Sequence, residues 1–280
     1  MEFLLKNKYP VILAILIGFF VIYFSYLSIL RYRTLNSHYY DLGIMNQVVY
    51  NTAKGRILEM TNQDLKKNIN RLAVHFDPIL IVFAPFYWFF PYPEVLLVAQ
   101  AAILGLGAWV IYLIAKKKLK NQLISFLFAV VYLSYFPIQR VLLFDFHAVV
   151  FATTFFLFAL YFQEEKNWFW YFVFVFLSLF TKEHVGLTVF LLGFYLYFIK
   201  REKIIGLVTS IVGILFFITT VYVIIPYFRG EPHFATSYFF GIMARKETIL
   251  KEGFVYIGRL ILPTFYALFS PLTLIISSPE

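Results

Sequence analysis

Side chains that could do chemistry are rare in this sequence, and they fall in short groups between long apolar runs. Three groups border apolar segments: His75-Phe76-Asp77-Pro78, Asp145-Phe146-His147 and Thr181-Lys182-Glu183-His184. Ionisable groups next to hydrocarbon are costly unless they are paired, solvated or functional. The groups therefore predict a polar cavity that opens at one membrane face. The alternative for each group is an ordinary helix end in contact with water.

Asp41 is a further acid outside these groups, placed after the first long apolar run and at the start of a helical pattern. A carboxylate in this position can act as a base toward an acceptor or can orient the acceptor. The alternative role is structural, because the helix dipole stabilises an acidic residue in the first turn of a helix.

Asp145 and His147 are two residues apart, and on an extended segment residues i and i+2 face the same side. Such a pair suits a shared ligand, and carboxylate oxygen with imidazole nitrogen suits Mg, Mn or Zn. His75 and Asp77 repeat this spacing. The sequence thus predicts a candidate divalent metal site, whose candidate ligands are Asp41, Asp145, His147 and Glu183.

Arg140 and Lys182 are the cations nearest these acids. They can bind a phosphate at the membrane surface, because Arg forms forked hydrogen bonds to phosphate and Lys supplies a point charge. His184, beside Lys182, would donate a hydrogen bond to the same anion. The alternative is that Arg140 pairs with Asp145 and that Lys182 pairs with Glu183.

Membrane helices are the elements that must carry these residues. Hydrophobic residues make up 61% and charged residues 14% of the 280-residue chain, against about 45–50% and about 25% in soluble globular proteins. This composition excludes a water-soluble enzyme and a disordered chain. The absence of Cys excludes disulfides and thiolate chemistry. Basic cytoplasmic loops explain the net charge of +9, so the expected partner is the lipid bilayer and not nucleic acid.

The predicted fold is all-α, a polytopic bundle of about eight transmembrane helices in a single membrane domain, residues 1–280. Residues 10–31 form the first transmembrane helix, residues 32–92 an outer loop, and residues 93–276 the remaining helices. Those helices are expected near 93–115, 121–136, 147–162, 168–181, 184–199, 204–225 and 255–276. Because the chain stops directly after the last apolar run, a C-terminal truncation is also expected.

The outer loop is expected to carry amphipathic helices at the membrane surface. Leu42, Met45, Val48 and Val49 recur at helical spacing, Ser37 can cap the start of that helix, and Gly55 can end it. Residues 78–90 offer only 13 residues between prolines, which as a helix rise about 20 Å against a hydrocarbon core of about 30 Å. We therefore expect this segment not to cross the bilayer.

The distribution of Lys and Arg predicts the orientation. If residues 78–90 do not cross, the segments richest in Lys and Arg lie inside: 1–9, 116–122, 163–167 and 200–203. The N-terminus is then cytoplasmic in a multi-pass protein of the cell membrane. Asp41 and the three groups face outward, and His233 is expected in a solvated outer loop. If residues 78–90 cross, the basic loops move outside, which the positive-inside rule disfavours.

The order of these residues resembles the GT-C superfamily of integral membrane glycosyltransferases, which use polyprenyl-phosphate-linked sugars. The chain is especially similar to an uncharacterised family of predicted prokaryotic membrane proteins of that type. The segments that carry the similarity are Asp41, Gly43, Gln47 and Gly55; His75, Phe76 and Pro78; Asp145–His147; and Lys182–His184. The similarity covers about residues 10–276.

The resemblance implies that a sugar is moved from a polyprenyl-phosphate donor to an acceptor at the outer membrane face. Asp41 would be the catalytic carboxylate and Asp145 a second acid, while the lipid phosphate would lie against Arg140, Lys182 and His184. His75 and Asp77 would form a further outer-face cluster. Two other classes stay open: a transporter or flippase of a lipid-linked or anionic solute, for which charges near mid-helix are expected, and a non-catalytic membrane partner protein.

Overall fold

The chain folds into helices joined by short links. The computed structural model describes residues 8–37, 40–62 and 67–233. In chain order the helices are α1 (Lys8–Arg33), α2 (Tyr40–Ala53), α3 (Ala84–Tyr87), α4 (Glu94–Leu119), α5 (Gln122–Leu133), α6 (Phe136–Phe144), α7 (Phe151–Glu164), α8 (Trp168–Leu179), α9 (Val185–Phe194), α10 (Lys203–Thr219) and α11 (Ile225–Arg229). The remaining elements are strands β1 (Glu59–Asn62) and β2 (Lys67–Asn70), 3-10 turns at Arg71–Ala73, Pro78–Phe83 and Ala148–Val150, and π-helical turns at Tyr195–Ile199 and Thr220–Ile224.

Four helical stretches of the described chain are long and apolar enough to cross a membrane: Lys8–Arg33, Glu94–Leu119, Gln122–Phe144 and Lys203–Arg229. Three shorter apolar helices lie between the third and the fourth of these stretches: Ala148–Glu164, Trp168–Leu179 and Val185–Ile199. All seven lie close to predicted helices, so the molecule is a mostly helical membrane protein. The predicted total of about eight spans is not confirmed, because four helices have spanning length and the predicted helix 255–276 lies outside the described residues.

The third long stretch is divided into α5 and α6 at Ser134 and Tyr135. Pro137 lies in the first turn of α6, where its missing N–H and fixed φ start a new helix more readily than they continue an old one. The predicted span 121–136 therefore extends to Phe144. Arg140 lies on α6, which corrects its predicted place in a link between helices.

The amphipathic helix predicted after α1 is confirmed as α2. Its apolar face is buried against the bundle, through Leu42, Met45, Val48 and Val49. Gly55 follows the helix with a φ of +84°, a left-handed conformation that glycine adopts without the steric penalty of a side chain. The predicted stop signal is therefore correct.

Two paired strands follow α2, and within the described residues they are the departure from the all-α prediction. β1 and β2 pair antiparallel, with Met60 opposite Ile69 and Glu59 opposite Asn70. The Gln47 side chain of α2 accepts a hydrogen bond from the Thr61 N–H at 3.0 Å, which ties the hairpin to the helix. The strands contain four residues each and are mainly polar, so neither shows the apolar alternation that predicts a strand.

Residues Pro78–Tyr87 form a short apolar helix, made of a 3-10 turn and α3. The Ile79 N–H donates a hydrogen bond to the Phe180 carbonyl at 3.1 Å, and the Phe83 ring contacts the Phe146 ring edge-on at 6.4 Å. This segment thus joins the end of α6 to the end of α8. Its length is below that of a membrane span, in line with the prediction.

Helices α9 and α10 approach each other with their backbones in contact. A Cβ on Gly193 would overlap Ser210, and a Cβ on Gly213 would overlap the backbone of Phe190. Glycines permit this close approach, as small residues do in many membrane helix pairs. The packing holds the start of α9, which follows Glu183, beside the end of α10, which leads toward His233.

The helices run back and forth between two ends of opposite character. We name one the basic end, defined by the paired charges Lys117, Lys118, Glu164, Glu165, Lys166, Lys200 and Glu202. We name the other the histidine end, defined by Asp41, His75, Asp77, Asp145, His147, Glu183 and His233. This separation matches the predicted one. The orientation with the basic end in the cytoplasm stays a prediction.

Candidate functional site

Asp41 and His147 form a solvent-accessible pair at the histidine end. Oδ2 of Asp41 lies 3.2 Å from Nε2 of His147, and their side chains are 40% and 28% exposed. Asp41 belongs to the first turn of α2. His147 belongs to the link after α6, where its ring stacks on Phe144 with centroids 5.7 Å apart. A carboxylate and an imidazole in this contact can accept or donate a proton at a bound hydroxyl group.

Asp145 is buried beside this pair and binds two backbone N–H groups. Its carboxylate accepts hydrogen bonds from Phe146 at 2.9 Å and from Leu42 at 3.2 Å. Leu42 lies in the first turn of α2, so Asp145 satisfies a helix N-terminal donor that has no partner within the helix. Burial raises the pKa of Asp145, although both hydrogen bonds act to lower it. The geometry favours a positioning role for Asp145, which fixes α2 and with it Asp41, over the predicted catalytic role.

Gln100 in α4 completes this arrangement, and the sequence analysis missed it. Its fully buried amide donates to the Asp145 carbonyl at 3.1 Å and accepts from the His147 N–H at 2.9 Å. The link held by Gln100 is extended, with φ of −171° at Asp145 and −139° at His147. The available signal was a Gln inside a long apolar run, where a polar group needs a partner.

His75, Glu183 and His233 form a second group at the same end. Oε1 of Glu183 lies 2.9 Å from Nδ1 of His75 and 3.8 Å from Nε2 of His233. Oε2 of Glu183 accepts a hydrogen bond from the Phe76 N–H at 3.0 Å. Burial alone would raise the pKa of Glu183, but the hydrogen bond and charge of His75 and the Phe76 N–H outweigh burial and lower the pKa to about 2. His233 is only 4% exposed, so the prediction that it is solvated is wrong.

Asp77 is bound by Arg71 and does not contribute to the second group. Arg71 donates to both carboxylate oxygens of Asp77, with Nε 3.0 Å from each and Nη2 2.7 Å from Oδ2. The two side chains are 5% and 3% exposed. The predicted outer-face cluster of His75 and Asp77 is therefore divided, and Asp77 has a structural role. Sequence reasoning missed Arg71, although a cation six residues before Asp77 in the same loop was a usable signal.

The two predicted phosphate-binding cations are not neutralised by the acids beside them. Within the described residues neither Arg140 nor Lys182 forms an ion pair, and the Arg140 guanidinium lies over the Phe136 ring at 5.5 Å. The alternative pairing with Asp145 and Glu183 does not form, because those carboxylates bind backbone N–H groups and His75. Desolvation and the charge of Lys182 lower the pKa of His184.

The predicted metal-ligand set is separated into two places. Glu183 lies with His75 and His233, and the ligand atoms of these three side chains all lie within 4.8 Å of one another. The predicted set that combined Glu183 with Asp41, Asp145 and His147 is therefore not assembled. An ion bound by Asp41 and His147 stays a prediction.

An apolar groove of about 710 Å³ lies where α1, α4 and the Pro78–Tyr87 segment meet. Its polar rim is the Arg33–Glu94 pair, with Nη2 3.0 Å from Oε1. The remaining lining is almost entirely apolar: Phe83, Phe86, Phe90, Tyr92, Val95, Val98, Ala99, Ala102 and Ile103. The groove thus offers a hydrocarbon-compatible surface beside charged groups at the histidine end.

Comparison with known proteins identifies a family for this chain. No curated protein and no solved structure matches the chain. The model of one family, described as Predicted membrane protein (DUF2079), matches residues 31–276. This match covers most of the chain, from the end of α1 through the segments that carry Asp41, Asp145 and Glu183, and the chain therefore belongs to the DUF2079 family of predicted membrane proteins.

Proposed function

We propose that this protein is a membrane glycosyltransferase of the GT-C type, which moves a sugar from a polyprenyl-phosphate donor to an acceptor. The observation that carries the proposal is the Asp41–His147 pair, accessible to solvent and held in place by the buried Asp145 and Gln100. A reactive pair on an extended link, fixed by long-range hydrogen bonds, has the preorganisation that catalysis needs. The family match supports the membrane location, and the order of the motifs supports the resemblance to GT-C transferases.

Asp41 acts as the base in this proposal. Its carboxylate takes the proton of the acceptor hydroxyl as that oxygen bonds to the anomeric carbon of the sugar. His147, 3.2 Å away, holds the carboxylate in position by a hydrogen bond. The bond between the anomeric carbon and the phosphate oxygen breaks in the same step, and polyprenyl phosphate leaves with the electron pair.

Arg140 and Lys182 bind the phosphate of the donor. The phosphate is already charged in the bound donor, so fixed cations contribute to donor binding before the bond to the sugar breaks. They continue to offset the negative charge as the phosphate leaves. Both cations lack an ion-pair partner in the described part of the chain, which keeps them available for an anion. The apolar groove between α1 and α4 suits the first isoprene units of the lipid, because its lining is hydrocarbon and aromatic.

The test uses the purified full-length chain in detergent with polyprenyl phosphates that carry glucose, mannose or galactose. Turnover is measured as release of free polyprenyl phosphate, and lipid binding is measured separately with polyprenyl phosphate alone. We expect Asp41→Asn to lower kcat by at least about 100-fold, a typical contribution of a general base, and to leave lipid binding unchanged. Lys182→Ala should weaken lipid binding and mainly raise KM.

Lys166→Ala is the matched control, since Lys166 is a cation of the basic end, paired with Glu202. It should change neither turnover nor lipid binding. Full turnover in Asp41→Asn would remove the carboxylate mechanism. Polyprenyl phosphate binding that is equally strong in Lys182→Ala and Lys166→Ala would remove the phosphate site.

A further inference from the structure

The group His75, Glu183 and His233 is built from three distant parts of the chain. His75 follows the hairpin, Glu183 lies in the α8–α9 link, and His233 follows α11. Glu183 is 108 residues from His75 in sequence, so the contact depends on the tertiary fold. Glu183 and His233 are buried and His75 is partly buried, which distinguishes this group from an exposed cluster of acids.

The donor atoms of this group have the spacing of ligands around one transition metal. A zinc ion with bonds of about 2.0–2.2 Å to nitrogen and oxygen in a tetrahedron places neighbouring ligand atoms about 3.3–3.5 Å apart. The distances from Glu183 Oε1 to the two imidazole nitrogens are 2.9 and 3.8 Å, on either side of that value. Small side-chain rotations therefore suffice to seat an ion among them.

The other oxygen of Glu183 is already fixed by the protein. It accepts the Phe76 N–H at 3.0 Å, the kind of outer hydrogen bond that orients carboxylate ligands in metal sites. Two imidazoles and one carboxylate favour zinc over Mg or Ca, which prefer sites made of oxygen ligands. Three protein ligands also leave a fourth position for water, as in zinc sites with two His and one Glu.

We propose that His75, Glu183 and His233 bind one zinc ion, which fastens the α8–α9 link to the loop before α3 and to the chain after α11. None of the three proposed ligands is assigned to sugar transfer, although Glu183 lies between Lys182 and His184 in the chain. The zinc site is therefore independent of the proposed function, and each of the two proposals can fail without the other.

The experiment measures zinc in the purified full-length chain after the metal is removed with a chelator, one equivalent is added back, and free metal is separated. We expect one zinc per chain. His75→Ala, His233→Ala and Glu183→Gln should each lower the affinity by more than the roughly 10–100-fold that loss of an outer-shell partner costs. His184→Ala, adjacent to Glu183, and His147→Ala, in the other group, are matched controls that should keep the zinc.

A second measurement detects a new metal ligand directly, and so does not depend on the loss of metal from a variant. The chain contains no Cys, so His233→Cys introduces its single thiol. After cobalt is substituted for zinc, this variant should show a sulfur-to-cobalt charge-transfer band that His184→Cys lacks. The proposal is overturned if the wild-type chain binds no stoichiometric zinc, if zinc is lost in His147→Ala and kept in His75→Ala, or if the charge-transfer band is missing in folded His233→Cys.

Discussion

The basic end and the histidine end use charge in opposite ways. At the basic end, each defining carboxylate contacts a lysine: Glu165 binds Lys117 at 2.8 Å, Glu164 binds Lys118 and Lys200, and Glu202 binds Lys166. Most of these side chains are substantially exposed. Such pairs contribute little to stability, because water solvates the separated charges nearly as well.

At the histidine end the carboxylates are held by backbone N–H groups, imidazoles and one buried guanidinium. Asp145 binds Leu42 and Phe146, and Glu183 binds His75 and Phe76. Arg140 and Lys182, in contrast to Arg71, form no ion pair within the described chain. The comparison teaches that the acids of the basic end form lysine pairs near water, while at the histidine end an acid is retained where it fixes a loop or meets an imidazole.

The largest effect that would test this contrast is expected at the buried pair Arg71–Asp77. Arg71→Met leaves the Asp77 carboxylate buried without a cation, which typically costs about 3–5 kcal/mol of unfolding free energy. The measurement is the thermal and denaturant unfolding of the protein in detergent. The double variant Arg71→Met/Asp77→Asn should recover most of the loss, because no unpaired charge remains buried. If Arg71→Met lowered the unfolding free energy by less than about 1 kcal/mol, the buried pair would contribute no more than an exposed ion pair does.

A smaller effect is expected when acid protonates Glu183 in the metal-free protein. The pKa of Glu183 is about 2 in the folded chain against an ordinary value of 4.5, so the folded state binds this proton less tightly than the unfolded state does. The stabilisation is therefore complete above about pH 4.5 and is lost as the pH falls toward 2. The shift corresponds to about 3 kcal/mol at most, which unfolding measured from about pH 6 downward should detect.

Two variants sharpen this pH experiment. Glu183→Gln should remove the part of the acid dependence that Glu183 contributes, because its amide does not titrate. Glu165→Gln, from an exposed pair of the basic end, should leave the curve unchanged. Identical acid dependence in wild type and Glu183→Gln would contradict the assignment of the pH effect to Glu183.

Local patterns predicted much of this structure. The apolar spacing in α2 predicted its buried face, and Gly55 predicted its end, because both depend on neighbours a few residues away. Partnerships across the sequence were not predictable in the same way. Asp145 binds the Leu42 N–H across 103 residues, and Glu183 contacts His75 across 108. No local pattern could therefore show that Glu183 lies with His75 and not with Asp41.

The smallest expected effect is at Lys118 of the basic end. Its side chain is 49% exposed, and Glu164 keeps a second partner, Lys200. Lys118→Ala should therefore lower the unfolding free energy by no more than about 1 kcal/mol, and the difference from wild type should shrink as salt screens the pair. Lys118→Ala/Lys200→Ala leaves the partly buried Glu164 without either lysine, so the double variant should lose more than the sum of the two single losses. A single-variant loss that approached that of Arg71→Met would mean that the basic end depends on its ion pairs as strongly as the histidine end does, and the contrast between the two ends would then be wrong.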